Sequence, residues 1–374
     1  MKMALVHDYL SQDGGAEKVL QAFHEIWPEA PIFVLFHDKK KISGFTDADI
    51  RESFLAKLPF GKAKYQWYIS LMPLATERHN LHEFDVVLSS TSAFAKGVLT
   101  RPDTLHISYC HTPTRYLWTD THEYIADLKY NRLIKLILPR LIHRLRIWDH
   151  MSVDRVDFFI ANSNTVQKRI QKYYRRESDI IFPPSDVDQF SVGESVDNYF
   201  ISGGRMVSYK RFDLLVHTFN RLGWPLLLFG SGPEEFRLKK IAKDNIRFLG
   251  RISDTEKATL LSQARAFIHP QVEDFGITPI ESMASGTPVI AYGVGGATET
   301  VVPGKTGVFF YEQTWEALLD TLLQFDTYTW NREEIFAHAQ KYSRVLFQQR
   351  IKQYIAERFE EFERGLNQCQ LDIR

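Results

Sequence analysis

Short apolar runs of strand type alternate along this chain with segments whose apolar residues recur at helical spacing. In the second half, strand-like runs at 199–203, 225–229 and 245–249 alternate with helix-like segments, among them 212–222 and 254–263. A chain that alternates strand and helix in this way buries both faces of a parallel sheet under helices. The pattern therefore predicts the α/β class, with doubly wound sheets.

The first strand-like run, at 3–6, leads into a glycine loop at 11–15 (SQDGG) and then into a helix-like segment at 16–27. Strand, glycine loop and helix form the phosphate-facing unit of Rossmann-like folds. The GxGxxG spacing of dinucleotide-binding proteins is absent here and from GVGG at 293–296, so NAD binding is not expected. Further strand-like runs lie at 32–35, 86–89, 105–109 and 156–161.

The length of 374 residues exceeds that of one typical domain, so two domains are expected. Pro183 and Pro184 cannot continue a helix or a central strand, and we place the connection between the domains there. The expected domains are residues 1–182 and residues 183–345.

The composition excludes several classes of protein. The net charge is zero, with 46 basic and 46 acidic residues, so any basic patch is local. The two cysteines, Cys110 and Cys369, are too few for a disulfide framework and suit a reducing compartment. The first residues, MKMALVHDYL, are not a signal peptide, and no stretch approaches a transmembrane helix in length. We expect a cytoplasmic protein.

Residues 273–281, EDFGITPIE, follow the strand-like run at 266–270 and lead into a helix. Unpaired backbone N–H groups at a helix start attract anions. Glu273 precedes that start and Glu281 lies about a turn inside the helix, which suits a ligand with hydroxyls on both sides of a phosphate. A nucleotide sugar has this pattern, although an isolated pair of glutamates is more often a helix cap and a surface residue.

Arg205 and Lys210 lie in a glycine-led loop, GGRMVSYK, between a strand and the helix at 212–222. A guanidinium can bind two phosphate oxygens at once, whereas an ammonium acts as a point charge. As isolated residues they would be surface charges. Beside the turn at Glu273 they are candidates for binding a diphosphate.

The whole string from Glu273 to Ala291 strongly resembles the E-x7-E segment of the family-4-type (GT4) retaining glycosyltransferases of GT-B fold. Other matches are GGR-x4-K at 203–210, PP-x-D-x-x-x-F at 183–190, and CHTP-x-RYLW at 110–118, a form typical of bacterial polysaccharide-assembly members. The resemblance extends from Gly14 to Gly307. It implies two Rossmann-like domains that face each other across a cleft, with C-terminal helices (346–374) that cross back to the first domain.

The resemblance also implies roles for individual residues. Glu273 would hold the sugar hydroxyls and Glu281 the ribose diol, while His111 would contact the donor sugar. Arg205 and Lys210 would stabilise the departing diphosphate. The remaining positions would bind the donor through backbone amides and through a contact to its nucleobase. They are Gly14, Gly15, Arg251, Ile252, Phe275, Gly276, Ile277 and Thr278. Arg115 is a possible acceptor-side contact, and Glu17 is given no catalytic part.

The implied activity is transfer of a hexose from a nucleotide diphosphate sugar, of UDP-glucose or GDP-mannose type, to a hydroxyl of a saccharide or lipid-linked saccharide. The anomeric configuration is retained, without a carboxylate nucleophile. No metal or other cofactor is expected, and we interpret the D-x-D matches at 47–49 and 186–188 as coincidence. The alternatives are a GT-B fold nucleotide-sugar epimerase and a non-catalytic nucleotide-sugar-binding component.

Residues 129–148 carry six basic residues and no acidic one: Lys129, Arg132, Lys135, Arg140, Arg144 and Arg146. Ile134, Leu138, Leu141, Leu145 and Trp148 share the other face at helical spacing. Because proline interrupts a helix, we expect two helices, the second beginning near Pro139. Such a segment is typical either of a contact to an anionic membrane surface or another polyanion, or equally of the solvated outer face of a domain helix. The membrane contact would mean peripheral attachment to the inner face of the plasma membrane. Nucleic acid is not expected as a partner, because no aromatic platform or recognised nucleic-acid module accompanies the charge.

Overall fold

The computed structural model describes residues 1–11, 14–39, 41–42, 44–60, 62, 65–119, 121 and 132–372, with the backbone alone described in 132–136 and 367–372. The chain divides into two compact units. Unit 1 comprises Met1–Pro184 and Phe347–Arg374, and unit 2 comprises Ser185–Leu346.

Within its described residues, unit 1 has a parallel sheet of seven strands in the order β3-β2-β1-β4-β5-β6-β7. The order reverses between β1 and β4. Their carboxyl ends are therefore neighbours, and the loops that follow these two strands leave towards opposite sides of the sheet. The strands are β1 (Met3–His7), β2 (Ile32–Val34), β3 (Ile50–Glu52), β4 (Val86–Thr91), β5 (Leu105–Cys110), β6 (Phe158–Ala161) and β7 (Ser178–Ile180).

The helices of unit 1 connect these strands. Those within the described residues are α1 (Gly15–Ile26), α2 (Met72–Glu77), α3 (Arg132–Met151) and α4 (Asn164–Arg169), the last continued by a π-helical turn at Ile170–Tyr174. Ser163 caps α4, because its hydroxyl accepts the backbone N–H of Val166. Short 3-10 segments lie at Phe54–Lys57, Tyr65–Leu71, Ala95–Gly97 and Ser152–Arg155.

Unit 2, every residue of which is described, has a parallel sheet of six strands in the order β10-β9-β8-β11-β12-β13. Its order reverses between β8 and β11. The strands are β8 (Phe200–Gly203), β9 (Leu226–Phe229), β10 (Ile246–Gly250), β11 (Ala266–His269), β12 (Val289–Tyr292) and β13 (Gly307–Phe310). The helices are α5 (Phe212–Leu222), α6 (Glu235–Ile241), α7 (Asp254–Gln263), α8 (Ile277–Met283), α9 (Ala297–Thr300), α10 (Trp315–Gln324) and α11 (Arg332–Ala339).

The last helix, α12 (Arg344–Asp372), packs its apolar face into the core of unit 1. Phe347, Ile351 and Ile355 are buried there at successive intervals of one helical turn. The ring of Phe347 stacks on Phe23 of α1 and meets Tyr109 of β5 edge-on, each at 5.8 Å between centroids. Helix α12 therefore completes the core that α1 and the sheet of unit 1 form.

The predicted α/β class with doubly wound parallel sheets is confirmed. The sequence patterns missed three strands, β3, β7 and β13, and all three are edge strands. An edge strand needs no long apolar run because one side of it lacks a neighbour, and IRE in β3 and SDI in β7 show none.

The prediction of two helices around Pro139 was wrong, because α3 continues through it as one helix. Pro139 is exposed, while Ile142 and Leu145 of the same helix are buried. Packing of that face outweighs the one backbone hydrogen bond that proline removes.

The three basic residues of 129–148 whose side chains are described differ in exposure. Arg140 and Arg144 are exposed, but Arg146 is half-buried and its Nε donates to the Leu117 oxygen at 2.6 Å. Lys129 lies outside the described residues, as do the side chains of Arg132 and Lys135. Within the part of the chain that is described, none of the helices has the length and hydropathy of a membrane span.

Asp8, directly after β1, closes the loop that follows β4. Its two carboxylate oxygens accept the backbone N–H groups of four consecutive residues, 92–95, at 2.6 to 2.9 Å. The carboxylate is buried. A buried carboxylate with four amide donors fixes the loop, since each amide would otherwise lack a partner.

We therefore expect Asp8→Asn to lower the free energy of unfolding by about 3 kcal/mol, because an NH2 group cannot accept the N–H groups that one oxygen accepts. Urea unfolding followed by tryptophan fluorescence measures the change. The matched control is Asp154→Asn, at an exposed aspartate of the same unit. Equal effects of the two substitutions would contradict the structural role of Asp8.

Candidate functional site

The carboxyl ends of β8 and β11 are neighbours, because the strand order of unit 2 reverses between them. Residues 204–211 follow β8 and residues 270–276 follow β11. Across these two loops, Lys210 Nζ lies 2.8 Å from Glu273 Oε1, with the two side chains 16% and 24% exposed. The fold thus forms an ion pair at the place where open α/β sheets bind ligands.

The loop after β8 packs against the turn after β9 by backbone contact. Gly204 has a φ of +128°, a conformation that favours glycine. A Cβ on Gly230 would lie 2.0 Å from the Gly204 oxygen, and a Cβ on Gly232 would lie 2.3 Å from the Met206 oxygen. Any side chain at positions 230 or 232 would therefore displace the loop that carries the two cations.

Arg205 and Lys210 lie in the same loop but differ in their exposure and in their contacts. Arg205 is exposed, and its guanidinium has no hydrogen bond or ion pair to any residue that the structure describes. Lys210 is committed to Glu273. One cation of the loop is therefore available to an anion at once, and the other becomes available only when Glu273 is given another partner.

Glu273 is charged because of its partner. Burial raises the pKa of its carboxyl, but the ion pair with Lys210 outweighs this, so that the pKa lies below its usual value. Gln271 Nε2 also donates to Glu273 Oε1, at 3.3 Å. Beside it, burial lowers the pKa of His269 to about 4, so this imidazole is neutral at physiological pH. Lys210 and Glu273 therefore balance each other's charge.

The turn of Glu273 is shaped by its own glycine. Gly276 has a φ of +89° and is the N-cap of α8, so that Ile277 and Thr278 form the first turn of the helix. Phe275 is buried, with its ring edge-on to Tyr342 at 5.8 Å. Of Phe275, only the backbone is available to a ligand, whereas Ile277 and Thr278 are half-buried.

The run GVGG, at 293–296, packs against this turn. The Gly296 N–H donates to the backbone carbonyl oxygen of Glu273 at 2.8 Å. A Cβ on Gly296 would lie 2.4 Å from the Phe275 Cα. These glycines therefore permit close approach of two backbones, which explains their presence without a dinucleotide.

Glu281 is buried in α8 and paired with a residue that sequence reasoning missed. Lys257 of α7 contacts both Glu281 Oε1 and Asp254 Oδ1 at 3.0 Å. Burial lowers the pKa of Lys257, but the two carboxylates outweigh it and raise the pKa overall. A hydroxyl that binds Glu281 would therefore meet a carboxylate already oriented by Lys257.

Arg251 and Ile252 follow β10, the edge strand two places from β8. Arg251 is exposed, and its Nε donates to the Ser231 hydroxyl at 3.2 Å. Ile252 is half-buried. Both lie at the carboxyl edge of the sheet of unit 2, on the same edge as the loops of Lys210 and Glu273.

The remaining candidates belong to unit 1. Gly14 and Gly15 form the start of α1, with Gly14 as N-cap. His111 follows β5, and its Nε2 lies 2.8 Å from the Ser90 hydroxyl. Burial, with a smaller contribution from His7, lowers the pKa of His111 to about 3, so this imidazole is neutral at physiological pH.

The segment after His111 is held by a buried ion pair that the sequence did not reveal. Asp149 accepts Lys96 Nζ at 2.6 Å, the Thr114 hydroxyl at 2.9 Å and Trp118 Nε1 at 2.8 Å. Lys96 and Asp149 are both buried. The conformation of residues 111–118, including the half-buried Arg115, thus depends on a charge carried by α3.

The Lys210–Glu273 pair makes stability depend on pH in a defined direction. The folded pKa of Glu273 is below its usual value of 4.5, so the pair stabilises unit 2 above that pH and less as the pH falls through the folded pKa. Lys210→Ala leaves the half-buried carboxylate without its lysine and removes the main interaction that lowers its pKa. We expect the variant to be less stable by about 2 kcal/mol at neutral pH, with the deficit shrinking as the pH falls through 4.5 towards the folded pKa of Glu273.

Thermal unfolding of the two proteins across this pH range measures the effect. The control is Lys305→Ala, at an exposed lysine of unit 2. A deficit of the Lys210→Ala variant that does not change with pH would contradict the electrostatic assignment.

Comparison with known proteins agrees with this architecture. The family described as Glycosyl transferases group 1 matches residues 184–341, which is nearly all of unit 2. The O-antigen chain mannosyltransferase RfbU of Salmonella typhimurium is 29% identical over 191 residues, which cover 46% of this chain and 53% of that protein. The alpha-1,3/1,6-mannosyltransferase ALG2 of Dictyostelium discoideum is 47% identical, with 53% of this chain and 56% of that protein covered. The chain thus spans little more than half the length of these relatives.

A solved structure extends the similarity of fold to both units. HepE of Anabaena, in complex with UDP and glucose, superposes with a TM-score of 0.70 at 17% identity, covering 95% of this chain and 99% of that one. The two parallel sheets, the group 1 match in unit 2 and the glycosyltransferase relatives agree with one another. The chain thus has the GT-B fold, and its unit 2 matches the model of the Glycosyl transferases group 1 family.

Proposed function

We propose that this protein transfers a hexose from a nucleotide diphosphate sugar to a hydroxyl of a saccharide or lipid-linked saccharide, with retention of configuration. The observation that carries the proposal is the Lys210–Glu273 ion pair at the strand reversal of unit 2, in the same loop as the exposed Arg205. A cation and a carboxylate at one point match a ligand that is anionic at its diphosphate and rich in hydroxyls at its sugar.

Donor binding exchanges the partners of this pair. The diphosphate takes Lys210 and Arg205, the first as a point charge and the second through two N–H groups. Glu273, released from Lys210, accepts hydrogen bonds from sugar hydroxyls. The pair therefore keeps both groups charged and oriented before the donor arrives.

The same cations act on the reaction itself. The bond from the anomeric carbon to the diphosphate breaks, the acceptor oxygen bonds to that carbon, and the acceptor proton passes to the departing phosphate. Negative charge grows on the diphosphate as the bond breaks, and preorganised cations stabilise that charge more than the ground state. Attack from the face of the departing group gives retention without a carboxylate nucleophile.

Arg205 and Lys210 would supply the charge for which other glycosyltransferases use a divalent ion, so we propose a reaction that needs no metal. The amides of Gly276, Ile277 and Thr278 would add to this field. The other proposed contacts are Glu281 to the ribose, the backbone of Arg251 and Ile252 to the nucleobase, and the backbone of Phe275, Gly14 and Gly15, together with the His111 ring, to the donor.

The names of the relatives point to mannose as the hexose, since both of those described above are named mannosyltransferases. We therefore place GDP-mannose before UDP-glucose as donor. Thermal shifts with a panel of nucleoside diphosphates and their sugars separate the two, because the ligand that binds the folded protein tightest raises the melting temperature most.

The decisive experiment compares three variants in a transfer assay with radiolabelled donor. We expect Lys210→Ala and Glu273→Ala each to lower kcat by two to three orders of magnitude, since each removes a group that binds charge or orients the sugar in the transition state. Lys305→Ala is expected to keep wild-type turnover. Activity should persist in excess EDTA.

Two outcomes would contradict the proposal. Unchanged turnover in Lys210→Ala and Glu273→Ala would remove the site. Conversion of the donor to its epimer without acceptor would replace the transferase by an epimerase.

The exposed residues Arg140 and Arg144 of α3 suit a peripheral contact with an anionic membrane, where a lipid-linked acceptor would be found. Each basic residue near such a surface contributes about 1 kcal/mol, so replacing both by glutamine should weaken binding to phosphatidylglycerol vesicles about thirtyfold. Vesicle co-sedimentation at low and high salt measures this. Lys239→Gln combined with Lys240→Gln, in exposed positions of unit 2, is the control. Equal binding to neutral vesicles would argue for the alternative, a solvated face.

A further inference from the structure

A row of buried polar side chains lies behind His111 in unit 1. His111 Nε2 is 2.8 Å from the Ser90 hydroxyl, and His7 Nδ1 is 3.1 Å from both the hydroxyl and the carbonyl oxygen of Ser90. His7 Nε2 is 4.0 Å from Glu17 Oε1. His7, Ser90 and Glu17 are all buried. None of the three has a part in the function proposed above.

The row follows from the register of three adjacent strands. His7 of β1 is the register partner of Ser90 in β4, and Ser90 is the partner of Tyr109 in β5. His111 follows β5, and its ring meets the Tyr109 ring edge-on at 5.3 Å. His7, Ser90 and His111 therefore each lie on a strand or directly after one.

Hydrogen-bond chemistry fixes the direction of the row. A carbonyl oxygen only accepts, so His7 Nδ1, which contacts the Ser90 carbonyl, carries a proton and donates it. The Ser90 hydroxyl accepts from His7, and among the described residues His111 Nε2 is the one remaining contact to which its own proton can be donated. His111 Nε2 is therefore the acceptor, and in a neutral imidazole the proton must lie on Nδ1.

The direction does not depend on the charge of His7. If His7 is neutral, its single proton is on Nδ1, and if it is protonated, with Glu17 as counter-ion, Nδ1 also carries a proton. Among the described residues, His111 Nδ1 has no hydrogen-bond partner. The one proton of the ring is thus left for a group outside the described residues.

We propose that Ser90 and His7 are positioning residues that hold His111 as the Nδ1–H tautomer, so that the ring donates a hydrogen bond to an oxygen of the donor sugar. The inference rests on the proposed function for the identity of that oxygen, but not for the tautomer. A donor at this position selects a sugar with an accepting oxygen there, and it makes His111 a hydrogen-bond donor and not a general base.

The first test reads the tautomer directly. Long-range proton–nitrogen correlation spectra of protein labelled with 15N-histidine identify which ring nitrogen carries hydrogen, and the His111→Gln variant assigns the signal. We expect the Nδ1–H form in the wild type and a mixture in Ser90→Ala. The control is Ser108→Ala, which removes an equally buried strand hydroxyl that has no hydrogen-bond partner among the described residues. An Nε2–H form in the wild type, or no change in Ser90→Ala, would overturn the inference.

A rescue pair tests His7. In His7→Asn the side-chain amide places an N–H near the position of Nδ1, whereas His7→Leu offers no donor. We expect His7→Asn to keep the wild-type tautomer and His7→Leu to resemble Ser90→Ala. A merely structural role would not separate these two variants by tautomer at equal folded fraction, and failure of His7→Asn to restore the tautomer would exclude His7 from the row.

Kinetics decide the functional half. In the transfer assay we expect Ser90→Ala to lower kcat about three- to tenfold with little change in KM, the effect of one lost hydrogen bond in the transition state. Ser108→Ala is expected to keep wild-type values. A tautomer that changes while kcat does not would overturn the positioning role. Absence of any transfer by the wild type would overturn the proposed function instead, and the spectra would still decide the tautomer.

Discussion

The ion pair between Lys210 and Glu273 is the contact on which the site of unit 2 depends. It exists because β8 and β11 are adjacent where the strand order reverses, and because glycines at 230 and 232 let the loop after β8 lie against its neighbour. A half-buried pair of this kind adds little stability by itself, but loss of either partner leaves an unpaired charge. The pair therefore acts mainly to keep two opposite charges in place for a ligand that can satisfy both.

Both units use the same topological feature for different purposes. In unit 1 the reversal lies between β1 and β4, and there Asp8 is fully satisfied by four backbone amides. That carboxylate has no capacity left for a ligand, so it shapes the loop. In unit 2 the corresponding place carries Arg205, whose guanidinium has no partner among the described residues. The two places thus differ in that the carboxylate of Asp8 is satisfied by backbone amides, whereas unit 2 carries charged side chains that can exchange their partners for a ligand.

Local patterns predicted most of the regular structure and the residues at strand ends. The helices at Phe212–Leu222 and Asp254–Gln263 were predicted with their observed bounds, because the apolar periodicity of the first and Ser253, the N-cap of the second, are local signals. The errors have tertiary causes. Pro139 was expected to divide a helix that the packing of Ile142 and Leu145 holds together. Lys96 and Asp149, and Lys257 and Glu281, could not be paired from the sequence, because their partners come from different elements.

The sequence by itself determined the α/β class, the succession along the chain of most strands and helices, and the loops that would carry Arg205, Lys210 and Glu273, since these depend on spacing along the chain. Only the tertiary structure decided which charges are paired and which are free, and which way the protons of His7, Ser90 and His111 point. The physical reason is that burial and hydrogen-bond direction depend on neighbours in adjacent strands. The spacing of residues along the chain does not determine which strands are adjacent in a sheet.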